Sequence, residues 1–99
     1  MAETPRAPAM HAATVTIVNK RGLHARASAK FVELAQTFAA HVTVTRDGTT
    51  VSGRSIMGLM MLAASPGAEL KIAAEGEDAE AALAALTALV AAKFHEKDK

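Results

Sequence analysis

The apolar residues of this chain switch repeatedly between the spacing of a strand and that of a helix, and this alternation is what most restricts its fold. In ATVTIVN, Ala13, Val15 and Ile17 alternate with Thr14, Thr16 and Val18. The period is two and the residues are largely β-branched, which predicts a strand. The following segment has helical spacing: Ala27, Phe31, Leu34 and Phe38 form one apolar stripe, with Lys30, Glu33 and Gln36 off it. That helix is expected from about Ala25 to before His41. HVTVTRDGTTVSG reads as a hairpin, with Val42 and Val44 alternating with Thr43 and Thr45. Asp47-Gly48 supplies the tight turn, and Thr49 to Ser52 form the return arm. SIMGLMMLAASPG predicts a short helix from Ser55 to Ala64, with Ser55 as its N-cap, weakened by Gly58 and closed by Pro66-Gly67. Leu70, Ile72 and Ala74 then alternate as a further strand. The last helix carries the stripe Leu83, Leu86, Val90 and Phe94, with Glu77, Asp78 and Glu80 at its head and Lys93, His95 and Lys97 at its tail, as the helix dipole favours.

The resulting order, βαββαβα, predicts a two-layer α+β sandwich with the helices on one face of a partly antiparallel sheet. Residues 1–12, with two prolines and no period, are expected to be a flexible tail. Residues 13–95 make a single domain, and 96–99 a charged fray. A formal charge of +1 argues against nucleic-acid binding. The absence of cysteine excludes disulfides and thiolate chemistry. No apolar run is long enough for a membrane span, and MAETPRAPAMHA lacks the apolar block of a signal peptide, so a cytoplasmic protein is expected. His11, His24, His41 and His95 lack metal-type spacing, so no metal site is expected. The segment Gly53 to Gly58 superficially resembles a phosphate loop but lacks its Lys-Ser/Thr ending.

The stretch RGLHARAS sets His24 and Arg26 where a strand has ended and a helix begins. The first N–H groups of a helix have no partners within it, and with the dipole they form a ready anion site. The dipole disfavours imidazolium, which keeps the ring neutral and nucleophilic. A phosphoryl group gained by the ring could be held by the N–H groups of Ala25 and Arg26, with charge-assisted hydrogen bonds from the Arg26 side chain. On spacing alone, a surface N-cap histidine beside a solvated arginine is the commoner arrangement and the favoured reading.

Gly22-Leu23-His24-Ala25-Arg26 resembles the phosphorylation motif of HPr, the histidine-containing phosphocarrier of the bacterial phosphotransferase system. Ser55-Ile56-Met57-Gly58-Leu59-Met60 resembles that family's regulatory serine segment, and Ala74 to Asp78 also matches. The resemblance spans about Ala13 to Phe94. It implies an open-faced sandwich in which a four-stranded antiparallel sheet carries three helices on one face. It implies no turnover by the protein alone and no cofactor. His24 would take a phosphoryl group on Nδ1 from enzyme I, charged from phosphoenolpyruvate, and pass it to enzyme IIA components, with Arg26 assisting. The acceptors could serve sugar uptake or a nitrogen-related regulatory branch. Ser55 would be the target of the HPr kinase/phosphorylase. Leu23, Ile56, Met57 and Met60 would form the docking face of a monomer; flexible methionines suit several partners. Leu59 and Leu62 would face the core. One departure is Ala27, where the family usually has proline; the exchange restores an N–H donor and loosens the backbone by about 0.4–1 kcal/mol. Two other classes remain open: a regulatory domain that binds through the methionine surface without using His24, and a small-molecule-binding module, for which there is no glycine-rich ligand loop.

Overall fold

The computed structural model describes residues 10–96. Its elements run β1 (Met10–Thr16), α1 (Ala25–Ala35), β2 (His41–Arg46), β3 (Thr49–Ser52), α2 (Ile56–Met61), β4 (Glu69–Glu75) and α3 (Ala79–Ala91), followed by one 3-10 turn, Lys93–His95. The four strands lie in the order β1-β4-β2-β3, each pair antiparallel. This is the open-faced α+β sandwich that the spacing and the resemblance imply, with β4 and β2 as the inner strands.

The register follows from burying one face. Ala13 lies opposite Ile72, Ile72 opposite Val44, and Val44 opposite Val51, so a row of apolar side chains crosses the whole sheet. The neighbouring row joins Val15 to Leu70. A slip of one residue would turn these side chains to the outer face, which makes the register costly to change. That outer face carries Thr14, Lys71, Thr45 and Thr50 in one row, and the hydroxyls of Thr45 and Thr50 are 2.8 Å apart. The helices bring Phe31 from α1, Leu59 from α2, and Leu86 and Val90 from α3 into the core.

Several boundaries differ from the sequence expectation. β1 begins at Met10, so residues 10–12 are strand rather than tail; they pair with Glu75, Ala74 and Ala73. Residues 1–9, expected to be flexible, and 97–99, expected to fray, lie outside the described residues. α2 stops at Met61 rather than Ala64. The Arg46 guanidinium donates to the carbonyls of Leu62 and Ala63, both at 2.8 Å, and Ala63 itself has φ +49°, so the chain leaves the helix there. Asp78, expected only to favour the head of α3, uses both carboxylate oxygens to accept from Ala39 N (2.8 Å) and Ala40 N (2.7 Å), tying down the chain ahead of β2.

The largest difference is at the end of α3. The helix ends at Ala91. Lys93, Phe94 and His95 take φ values of +58°, +55° and +59°, the left-handed region. Each such non-glycine residue costs roughly 1 kcal/mol or more. Among the contacts that hold the turn, Phe94 is fully buried, and Lys30 Nζ donates to its carbonyl at 2.7 Å. The reversal brings Glu96 back against α1 instead of leaving it in a fray. Phe94→Ala is therefore expected to lower stability by about 3–5 kcal/mol, measured by urea denaturation.

Candidate functional site: the head of the first helix

Gly22 opens the site. Its φ of +67° suits glycine, and a Cβ there would lie 2.4 Å from the Ala64 carbonyl oxygen. Leu23 N donates to that same oxygen at 2.8 Å. The close approach turns the Leu23 side chain inward, where it is 5% exposed. The expectation that Leu23 belongs to an exposed docking face is therefore corrected: it is a core residue beneath the site.

His24 is the N-cap of α1. Its backbone is extended (φ −79°, ψ −178°), its carbonyl accepts the first helical bond from Ser28 N at 2.8 Å, and its Nδ1 accepts from Arg26 N at 3.2 Å. At the other edge of the ring, Nε2 is hydrogen-bonded to Oε1 of Glu96. These partners assign the tautomer. A backbone N–H can only donate and an ionised carboxylate can only accept, so in the neutral ring the proton sits on Nε2 and the lone pair on Nδ1. The lone pair thus points at the Arg26 amide in the first turn of α1, where a phosphoryl acceptor would need it.

Glu96 is itself held. Its Oε2 accepts from Asn19 Nδ2 at 3.0 Å, and the same nitrogen donates to Gly22 O at 2.8 Å. Asn19 is fully buried, and its Oδ1 is the one buried side-chain polar atom without a partner among the described residues. Turning the amide over would set an oxygen against a carbonyl and a carboxylate, so the orphaned oxygen is the smaller penalty. Neither residue was marked by the sequence. Asn19 only closes the run ATVTIVN, and Glu96 lies 72 positions from His24 with no local signal.

Of the other candidates, Ala25 and Arg26 are exposed in the first turn of α1, and Arg26 contributes its backbone N–H to the site. Ala27 is fully buried on the inner side of that turn. Ser55 is the N-cap of α2, its Oγ accepting from Gly58 N at 2.9 Å. Beside it Ile56, Met57, Met60 and Met61 are exposed, with Met57 at 72% and Met61 at 77%, while Leu59 and Leu62 face the core as expected. Among the described residues no group of three or more His, Cys, Asp or Glu could hold a metal, and no helix is long and apolar enough to cross a membrane.

The comparisons with known proteins point to one class, the phosphocarriers. The family model described as the PTS HPr component phosphorylation site matches residues 11–92. The phosphocarrier protein HPr of Cupriavidus necator is 49% identical over 81 residues, covering 82% of this chain and 91% of that protein. The phosphocarrier protein NPr of Shewanella violacea is 46% identical over 82 residues, covering 83% and 90%. The crystal structure of HPr-C-His from Thermoanaerobacter tengcongensis superposes with a TM-score of 0.85 at 43% identity, covering 89% of this chain and 99% of that one. The chain belongs to the HPr family of the phosphotransferase system and is a phosphoryl carrier rather than an enzyme.

The Asn19 clamp gives a direct test of the site's architecture. Asn19→Ala strips a donor from both Gly22 O and Glu96 and is expected to destabilise the fold by about 1–3 kcal/mol in a urea melt.

Proposed function

We propose that His24 accepts a phosphoryl group on Nδ1 from enzyme I charged by phosphoenolpyruvate and passes it, in the cytoplasm and as a monomer, to enzyme IIA components. The observation that carries this reading is the Nδ1 lone pair held toward the head of α1, in a chain of the phosphocarrier family. In the acceptor step the lone pair forms the N–P bond while the bond from phosphorus to the donor breaks, its electron pair leaving with the donor. Arg26 N–H, now on Nδ1, then turns to a phosphoryl oxygen, and the exposed Arg26 guanidinium adds charge-assisted hydrogen bonds. Ala27 keeps an N–H in the same first turn, where the family's usual proline has none.

The test is labelling with enzyme I and phosphoenolpyruvate. The expected product is acid-labile, base-stable phosphate that disappears in His24→Ala; undiminished labelling of that variant would exclude His24 as the acceptor.

Ile56, Met57 and Met60 form the docking face in this reading, and Ser55 is its regulatory site, modified by the HPr kinase/phosphorylase. The geometry supports this because the Ser55 hydroxyl already caps α2 through Gly58 N, so a phosphate is tolerated locally while nearly two negative charges enter beside exposed apolar side chains. Ser55→Asp keeps a capping oxygen and adds charge. It is expected to raise the KM for phosphotransfer from enzyme I several-fold with an unchanged far-ultraviolet circular dichroism spectrum.

A further inference from the structure

We propose that Glu96 is a positioning residue for phosphoryl transfer: it fixes the tautomer of His24 and retains the Nε2 proton once the ring is phosphorylated, so the C-terminal turn governs how readily the phosphoryl group leaves. The inference rests on His24 being the acceptor.

The argument begins with hydrogen-bond polarity. Glu96 receives the ring at one oxygen and Asn19 Nδ2 at the other. Only a group that accepts at both atoms satisfies both donors, and an ionised carboxylate does so. A glutamine cannot: whichever way its amide faces, its NH2 meets either the Asn19 donor or the Nε2 proton.

Charge is the second step. Three segments meet at the ring: the loop 19–22, the first two turns of α1, and residues 93–96. They carry Lys20, Arg21, Arg26, Lys30 and Lys93 as cations, His95 as a titratable group, and Glu96 as their single acid. Such a setting favours a phosphoryl dianion but disfavours a further cation among them.

Phosphorylation sharpens the conflict. When Nδ1 forms its bond to phosphorus, Nε2 keeps its proton and the ring becomes a formal cation. Deprotonation at Nε2 would then leave an imidazolate as the leaving group, which departs far less readily than neutral imidazole. A carboxylate on Nε2–H opposes that deprotonation. With side-chain exposures of 25% for His24 and 12% for Glu96, solvent screens the pair only in part.

The placement of Glu96 is built into the fold. The left-handed turn Lys93–His95, the buried Phe94 ring and the Lys30 bond to Phe94 O together deliver the carboxylate to Nε2.

The experiment uses the full chain and Glu96→Gln, with urea melts to verify folding. In the free protein, ring 15N shifts should show a protonated Nε2 and an unprotonated Nδ1; Glu96→Gln should mix or invert this pattern. In the phosphorylated protein, 31P spectra should follow phosphohistidine hydrolysis with pH. The decline of lability with rising pH should set in at lower pH in Glu96→Gln; a displacement of about one unit is about a tenfold change in the protonated fraction above the midpoint. If the 15N pattern and the pH profile both match the wild type while His24 still takes the label, Glu96 has no such role and the carrier reading stands. If His24 takes no label in the wild type, the carrier reading falls, whatever the 15N shifts report about the Glu96 contact.

Discussion

The structure depends on burying one face of a four-stranded sheet and leaving the other wet. The row Ala13, Ile72, Val44, Val51 sets the register of every strand pair at once, because a slip in any one would expose its apolar side chains. Fixed register means fixed loop positions. The loop after β1 is pressed against Ala64 through Gly22 and Leu23, and α1 starts immediately beyond it. The His24 ring is thus positioned by sheet burial two steps removed from it.

Much of this was legible locally. The β1 alternation, the α1 stripe and the Asp47-Gly48 turn each express a short-range rule, and each element formed where its rule placed it, apart from the ends. His24 was legible for the same reason: an N-cap is a local position, and the chemistry of a ring there follows from helix geometry. What escaped was non-local. Leu23 stands directly before His24 in sequence but is turned inward by a backbone bond to Ala64. The α3 stripe correctly included Phe94, which is buried, but periodicity cannot show that it reaches the core through a left-handed turn. Glu96 then ends beside His24 only because of that turn.

The C-terminal segment holds two unfavourable features at once: three consecutive non-glycine residues at positive φ, and beneath them an Asn19 oxygen without a partner. Burial of Phe94 and the two bonds from Asn19 Nδ2 offset these costs. Both features also serve one outcome, the delivery and clamping of Glu96 at the ring. Departures from local rules tend to gather at functional sites, and here they converge on a single side chain.

The two edges of the His24 ring are consequently not interchangeable. Moving the proton from Nε2 to Nδ1 would set an N–H toward Arg26 N–H and a lone pair toward a carboxylate, two mismatches where there are now two bonds. At roughly 2 kcal/mol for the pair, that other tautomer would be populated to about 3%. The edge facing the helix is where a phosphoryl group can be held by amides and cations; the edge facing Glu96 is where the resulting charge can be balanced. A carrier must bind its cargo and also surrender it. Separating attraction for the phosphoryl group from stabilisation of the leaving ring, on opposite sides of one imidazole, allows each to be adjusted without forfeiting the other.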